Sequence, residues 1–430
     1  MARSFFCGSG DHAMSRRGFL GTAATAFAGM SALDALSTPA LAGELKAKQK
    51  RVILLWLAGG ASQLETWDPK PGASTGGPFR AIKTDVPGTE ISELMPEMAK
   101  RMKTTCVIRG LNTKNGDHGG AAKMMMRGRM DVGAVKYPDF GAVLAREMGR
   151  IDSKVPDYVT FYTQTEGRGS APGDSGFLGS RFGPMELTTN NIPEYIRKLD
   201  GVSEIDHVQR AELRDLLSKD FAKGRQSETL GSHNQAYERV RGIMASEKLF
   251  DVSQEPQKVR DKYGKTQFGE QCLIARRLVE AGVPFVRVAR AWWDSHGQNF
   301  ETHQEMVPEL DHVMATLIDD LAERGLADDV MIVTLAEFGR TPGINASLGR
   351  DHFASAWSMT MTGGKAKGGA VWGKTDDKGN KVVKDEVNAG QLFATIYETL
   401  GIKHDKSYYL GARPIPLVDP GFAPIKELVG

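Results

Sequence analysis

Short runs of apolar residues, separated by polar or glycine-rich segments, recur along the chain from residue 52 onward. Most of these runs do not alternate between apolar and polar positions, which predicts strands buried on both faces of a sheet. Between them, segments such as 268–281 and 306–321 carry apolar residues at helical spacing, and a glycine follows each. The strands are predicted at residues 52–57, 105–109, 158–162, 285–288, 330–335 and 358–362.

Strands that alternate with helices predict a doubly wound α/β domain. Further helices are expected at residues 139–148 and 388–400. Residues 165–260 interrupt the alternation with a loop rich in Gly, Ser and Pro and then two charged segments of helical character. We predict a helical insertion there, which either caps a pocket or serves only as a structural helix pair. Residues 363–382 are rich in Gly and Lys and indicate a loop or hairpin.

The first 42 residues have the order of an export signal. The sequence SRRGFL at 15–20 is a twin-arginine motif, an alanine-rich apolar stretch follows, and ALA at 40–42 is a cleavage site. The apolar stretch is too short to indicate a membrane span. We therefore predict a mature domain at 43–430 without a transmembrane span, periplasmic or secreted through the twin-arginine pathway.

The charge balance and the cysteines narrow the class of protein further. The 430 residues include 55 Lys and Arg against 53 Asp and Glu, a net charge of +2. This near-neutral balance indicates no nucleic-acid partner and no anionic membrane surface. Cys7 belongs to the signal, and Cys106 and Cys272 are interpreted as buried free thiols, with a single disulfide as the alternative.

Acids and histidines follow two of the later predicted strands. Asp294 and His296 come after the fourth strand, and Glu337 and Arg340 come after the fifth. Ligands bind outside the carboxyl ends of strands in an open α/β sheet, so these groups are expected to converge. Carboxylates and imidazoles bind metal ions, and the guanidinium fork suits a phosphate or sulfate. The alternatives are a loop capped by Asp294 and a turn fixed by a Glu337–Arg340 pair.

Three more histidines are candidates. His352 stands in the turn Arg350-Asp351-His352, and His118 lies in a glycine-flanked segment after the second strand. Each is either a metal ligand or an ordinary surface or core group. His303 either contributes to the same site as His296 or lies on the exposed face of the next helix.

The first strand leads into Gly59-Gly60, after which Ser62, Glu65 and Asp68 are candidates to face the strand tips. Asp68 could equally cap a rigid turn. No Lys-Ser/Thr follows the glycines, no spaced Gly-x-Gly-x-x-Gly is present and Gly-x-Ser-x-Gly is absent. These absences argue against a nucleotide-binding phosphate loop, a dinucleotide site and a serine hydrolase of the usual α/β type.

Together these segments resemble the exported family DUF1501, which is grouped with the alkaline phosphatase and sulfatase superfamily. The resemblance covers nearly the whole mature chain, and it implies an alkaline-phosphatase-like mixed sheet with helices on both faces and a site at the strand tips. It also implies divalent metal ions (Zn, Mn or Ca) and an anionic ester substrate. The matching segments are residues 57–71, 268–283, 293–296, 337–342 and 349–352.

The resemblance implies roles for particular residues. Asp294, His296 and His352 would form one metal shell, and Glu337 with Glu65 or Asp68 would form a second. His118 is a further candidate ligand.

The chain also departs from the superfamily pattern. The first strand ends in Gly59-Gly60 where an Asp is usual, Glu337-Phe338 replaces an Asp-His pair, and the sulfatase nucleophile motif is missing. Ser62 and Thr113 are the candidate nucleophiles.

The functional prediction from the sequence is a metal-dependent hydrolase of a phosphate or sulfate ester. Arg340 or Arg109 would hold the anionic group of the substrate. The alternative is a protein that kept the phosphatase fold but lost catalysis, and that binds an envelope polymer or another part of the cell envelope.

Overall fold

A mixed eight-stranded sheet lies at the centre of the fold. The computed structural model describes residues 49–150 and 247–430 without a break, and between them residues 153, 155–161, 164–165, 168–169, 173–187, 191, 193, 201 and 203–222. In chain order the strands of this sheet are β1 (Arg51–Leu57), β2 (Thr105–Leu111), β3 (Tyr158–Phe161), β4 (Met185–Leu187), β5 (Phe285–Arg290), β6 (Val330–Leu335), β7 (Trp357–Gly363) and β8 (Val371–Trp372).

The strand directions bring five chain segments to one edge of the sheet. The spatial order is β8-β2-β7-β6-β1-β5-β3-β4, with β1 at the centre, buried at every position and parallel to both β5 and β6. Strand β7 is antiparallel to its two neighbours, β6 and β2. The carboxyl ends of β1, β2, β5 and β6 therefore share an edge with the amino end of β7. The predicted α/β class with a mixed sheet is confirmed.

The helices follow the apolar spacing of the sequence. Helices α3 (Phe140–Met148) and α7 (Gln267–Glu280) both pack against β5, and their N-cap residues Asp139 and Thr266 each accept a backbone N–H bond. Helix α8 (Asn299–Glu323) begins earlier than predicted, because two polar residues of its first turns, Asn299 and His303, are buried. The helices described are α1 (Pro96–Ala99), α2 (His118–Arg127), α3 (Phe140–Met148), α4 (Glu204–Ala222), α5 (Glu247–Phe250), α6 (Gln257–Tyr263), α7 (Gln267–Glu280), α8 (Asn299–Glu323) and α9 (Ala389–Thr399).

The structure covers the remaining sequence predictions unevenly. Helix α4 confirms the first charged helix of the predicted insertion, whereas most of the second segment and the export signal lie outside the described residues. Among the described residues, every helix is too short or too polar to span a bilayer. Cys106 and Cys272 are buried free thiols, as predicted. The role of the insertion as a cap stays a prediction.

Helix α3 packs closely against the sheet, and a mutation at Gly141 tests this packing. A Cβ on Gly141 would lie 2.5 Å from Cζ of Tyr158 and 2.6 Å from Cδ1 of Phe285. Because the core must shift to accept the methyl group, Gly141→Ala is expected to lower the free energy of unfolding by about 1–3 kcal/mol. Urea denaturation measures this. Gly343→Ala is the control, since a Cβ there meets nothing within 4 Å, and equal stability of the two variants would contradict the packing.

Candidate metal centre

The cluster at this edge of the sheet is built from the ends of four strands. Asp294 and His296 follow β5, and Glu337 follows β6. His118 is the first residue of α2, which follows β2, and Asp117 caps that helix by accepting the N–H of Gly120. His352 precedes β7 rather than following it, and it reaches the same edge because β7 runs in the opposite direction.

Three imidazoles point one nitrogen each at the carboxylate of Asp294. Nε2 of His118 lies 3.0 Å from Oδ2, and Nε2 of His296 and Nε2 of His352 each lie 3.1 Å from Oδ1. The Nε2 atoms of His296 and His352 are 3.0 Å apart. Four potential donors therefore converge on one small volume.

The other nitrogen of each imidazole has its own acceptor. Nδ1 of His118 is 3.0 Å from Oε1 of Glu337, and Nδ1 of His296 is 2.7 Å from Oδ1 of Asp351. Nδ1 of His352 donates to the carbonyl of Gly116 at 2.8 Å. Since carboxylate and carbonyl oxygens only accept, Nδ1 of each ring carries a proton, and Nε2 is the nitrogen that a cation would bind in place of any proton shared with Asp294. Outer acceptors of this kind orient histidines in metal sites.

Burial increases from the rim of the cluster to its base. The side chain of His296 is 48% exposed, those of His118 and His352 are 22% and 23% exposed, and those of Asp294 and Glu337 are 6% exposed. Hydrogen bonds to Asp294 and then to Glu337 raise the pKa of His118 to about 9. The carboxylates thus attract positive charge into the cluster, and its His296 side is open to solvent.

The donor set fits a transition-metal ion. Among the described residues, donor atoms of His118, Asp294 and His352 lie within 4.8 Å of one another. This group holds two imidazole nitrogens and one carboxylate oxygen, and Nε2 of His296 lies next to Asp294 and His352 on its solvent side. Nitrogen and oxygen donors of this kind suit Zn²⁺ or Mn²⁺, whereas Ca²⁺ prefers a shell of oxygen atoms. One oxygen of Glu337, Oε2, is buried without a hydrogen-bond partner. It adds an uncommitted acceptor next to His118.

The glycines at the end of β1 allow the cluster to be this compact. Gly59 and Gly60 have φ of +107° and +86°, and a Cβ on Gly59 would lie 2.5 Å from the backbone nitrogen of Asp294. The N–H of Gly59 donates to Oε1 of Glu337 at 2.8 Å. Gly59-Gly60, which stands where an Asp is usual in the superfamily, therefore lies where the end of β1 closely approaches the segments that follow β5 and β6.

Arg340 is buried beneath the cluster. Its guanidinium donates to the carbonyls of Gly59, Gly60 and Arg350 and to the carboxylate of Asp294. The side chain is fully buried, and these contacts hold three loops together. None of these described contacts of Arg340 joins it to Glu337. The predicted clamp on an anionic substrate stays a prediction, and these contacts do not favour it.

The two candidate nucleophiles have no described hydrogen bond to the cluster. The buried hydroxyl of Ser62 accepts the N–H of Leu64, and the Ser62 N–H donates to Nε2 of His303. The hydroxyl of Thr113 accepts from the indole of Trp357 at 3.3 Å. Their catalytic roles stay predictions without support from these contacts.

Glu65 and Asp68 have cationic partners outside the cluster. Glu65 forms a fully buried ion pair with Arg350 at 2.8 Å. Asp68 pairs with Lys70 at 2.9 Å and has Arg109 at 3.7 Å, while Arg109 also donates to the carbonyl of Glu90. Neither carboxylate has a described contact with Glu337, so the second metal shell stays a prediction.

The assignment of His303 and the role of Asp351 depended on the tertiary structure. His303 is fully buried, donates from Nδ1 to the carbonyl of Asn299 and accepts at Nε2 from Ser62, and burial lowers its pKa. It is a core histidine, and the prediction of an exposed face is wrong. Asp351 was not among the candidates, although its position next to His352 was the available signal.

Fold and site define a mixed α/β protein with a candidate metal centre at the strand tips. The chain belongs to the DUF1501 family, described as a protein of unknown function, whose family model matches residues 49–429. The predicted membership is confirmed. No curated protein sequence matches the chain significantly.

Solved structures of similar architecture are remote. A structure titled Ps i-CgsB is 13% identical with a TM-score of 0.40, over 83% of this chain and 72% of that one. The PsFucS1 sulfatase from Pseudoalteromonas sp. is 12% identical with a TM-score of 0.40, over 90% and 73%. A phosphonate monoester hydrolase of Agrobacterium radiobacter is 13% identical with a TM-score of 0.38, over 89% and 77%. Similarity at this level decides neither the metal nor the substrate.

Proposed function

We propose that this protein is an exported metal-dependent hydrolase of a phosphate or sulfate ester. The observation that carries the proposal is the convergence of three imidazole Nε2 atoms on Asp294, each imidazole being held at Nδ1 by its own acceptor. This arrangement orients the nitrogens without using the atoms that would bind the ion. Zn²⁺ or Mn²⁺ fits the donor set best.

Some residues of the cluster would bind a metal ion, and others would orient the residues that bind it. When bound, a divalent ion would polarise the ester and lower the pKa of a water molecule. His118, His296, His352 and Asp294 would hold it. Asp351 would orient His296 on the solvent side, where the substrate would enter. The outer acceptors hold each imidazole so that Nε2 points inward.

The nucleophile is proposed to be water rather than a side chain. Ser62 is fully buried and bonded within its own loop, and Thr113 accepts from Trp357. Neither hydroxyl has a described hydrogen bond to the cluster. A water molecule on the exposed side, next to His296, needs no such contact.

The same observations favour a second candidate function. Arg340 donates to backbone carbonyls and to Asp294, and neither Ser62 nor Thr113 has a described hydrogen bond to the cluster. A protein that binds the metal ion but only recognises an envelope component would have these features. The hydrolase and the binding protein are distinguished by whether the protein hydrolyses an ester.

Metal content and ester turnover test the proposal together. Protein purified after native export is expected to contain Zn or Mn in stoichiometric amount by elemental analysis, and His296→Ala is expected to lose it. His312→Ala is the matched control, because His312 is exposed on α8. Wild type is then assayed on p-nitrophenyl phosphate, sulfate and phenylphosphonate.

The outcomes are distinct. Turnover that disappears in His296→Ala but not in His312→Ala supports the hydrolase. Metal binding without turnover of any of these esters favours the binding protein. A folded wild type that contains no metal and does not respond to added Zn²⁺ or Mn²⁺ would rule out both metal-based proposals.

A further inference from the structure

Trp292 has an unusual backbone conformation close to the cluster. Its φ is +75°, a region that bulky residues rarely adopt. Its side chain is 54% exposed, whereas the next residue, Trp293, is fully buried. Backbone strain that persists beside a candidate active site is a reason to look for a function. Here the strained conformation coincides with a large apolar side chain left in solvent.

A cavity of about 280 Å³ opens beside Trp292. The last residues of β5, the first turns of α7 and one residue of α8 form its walls. Cavities that hold drug-sized molecules measure about 300–1,000 Å³, so this one suits a single ring. Its wall includes Gln267, Phe268, Gln271, Arg290, Trp292 and Glu309.

The cavity adjoins the candidate metal centre through the chain itself. One residue separates Trp292 from Asp294, and consecutive Cα atoms are about 3.8 Å apart, so their Cα atoms lie within about 8 Å. A ligand whose reactive group reached the cluster could therefore place its next unit in the cavity. A wall residue of the cavity and a residue of the cluster are thus close along the chain, which a ligand that occupied both would require.

The walls combine an apolar surface with polar groups that carry no net charge. Arg290 and Glu309 form an ion pair at 2.7 Å, which offsets their charges. Gln271 donates to Asn191 at 2.9 Å, and Gln267 contributes an amide at the entrance of α7. An ion is poorly matched by such walls, and a lipid tail would leave the polar groups unpaired. A sugar ring has an apolar C–H face and a rim of hydroxyl groups, which matches both.

We propose that Trp292 and this cavity form a subsite for a neutral sugar ring of an oligosaccharide. The indole stacks on the apolar face of the ring, and Gln267 and the Arg290–Glu309 pair bind its hydroxyl groups. The subsite rests on the proposed function only in giving the ester substrate its class, a phosphorylated or sulfated glycan. Sugar binding itself requires neither the metal nor turnover.

Calorimetric titration with cellotetraose, chitotetraose and maltotetraose tests the subsite. At least one of these is expected to bind wild type, and Trp292→Ala is expected to weaken that binding about tenfold or more, as for other central tryptophans in binding sites. Tyr409→Ala is the matched control, since Tyr409 is a 72% exposed aromatic outside the cavity. Trp292→Phe, which keeps an aromatic ring, is expected to retain most of the affinity.

Stability and metal binding are measured on the same proteins. Trp292→Gly is expected to lose sugar binding and yet unfold at no lower urea concentration, because glycine adopts a positive φ freely. His296→Ala is expected to keep sugar binding while losing the metal, so failure of the hydrolase proposal can be told from failure of the subsite. The subsite is overturned if none of the three sugars binds wild type, or if Trp292→Ala binds as wild type does.

Discussion

His352→Ala is expected to lower the affinity for Zn²⁺ by more than the loss of an outer hydrogen-bond partner does. Asp351→Ala removes the acceptor of His296 Nδ1 but no donor atom that faces Asp294, and loss of such a partner typically costs about 10–100-fold in metal affinity. Removal of His352 deletes a donor nitrogen that lies 3.1 Å from Asp294. The expected order of affinity is therefore wild type and His312→Ala, then Asp351→Ala, then His352→Ala.

Competition with a chelating indicator dye measures this series, and stabilisation against heat by Zn²⁺ gives a second readout. An ion at 100 times its dissociation constant raises the free energy of unfolding by about 2.7 kcal/mol. His352→Ala is expected to lose this stabilisation at the same Zn²⁺ concentration. If Asp351→Ala and His352→Ala bound Zn²⁺ as wild type does, the ion would not be held by this cluster.

Glu65→Ala is expected to have the largest effect on stability. Glu65 and Arg350 form an ion pair at 2.8 Å in which both side chains are fully buried. Loss of the carboxylate leaves the Arg350 guanidinium buried without a counter-charge, which typically costs about 3–5 kcal/mol. Because Arg350 lies two residues before His352, the same change is also expected to weaken Zn²⁺ binding.

Urea denaturation at constant m value measures the loss of stability. Lys100→Ala is the control, since Lys100 pairs with Glu97 at the surface and its side chain is 66% exposed. An exposed pair of this kind contributes at most about 1 kcal/mol. A loss of stability in Glu65→Ala no larger than in Lys100→Ala would mean that the Arg350 charge is compensated in another way.

The predicted strands and helices were largely correct because their signals are local. The apolar run at 330–335 coincides with β6, and α7 begins at Gln267, one residue before the predicted start, with Thr266 as its N-cap. The start of α8 was predicted too late. Its first turns contain Asn299 and His303, which are polar in sequence but buried by contacts with Ser295 and Ser62. Polar side chains such as these are buried because other segments of the chain supply hydrogen-bond partners, and no local sequence pattern predicts such partners.

The candidate site was predicted in part. Asp294, His296, His352, Glu337 and His118 were all candidates, and the structure brings them together. The partners of Glu65 and Asp68 were not predictable, because the Glu65–Arg350 and Asp68–Arg109 pairs join residues that are far apart in the sequence. Arg340 was a candidate clamp for substrate. Its burial and its backbone acceptors became visible only when the loops after β1 and β6 were placed side by side.

The sequence by itself determined the α/β class, the family, the positions of the strands and the residue types at the strand ends. These follow from apolar periodicity and short motifs, which act over a few residues. Only the tertiary structure decided which imidazole nitrogen faces Asp294 and which histidine is a core group. It also decided that the reversed strand β7 delivers His352 to the same edge as His118. Hydrogen-bond direction and strand order are set by contacts between segments far apart in the chain, and these contacts exist only in the folded protein.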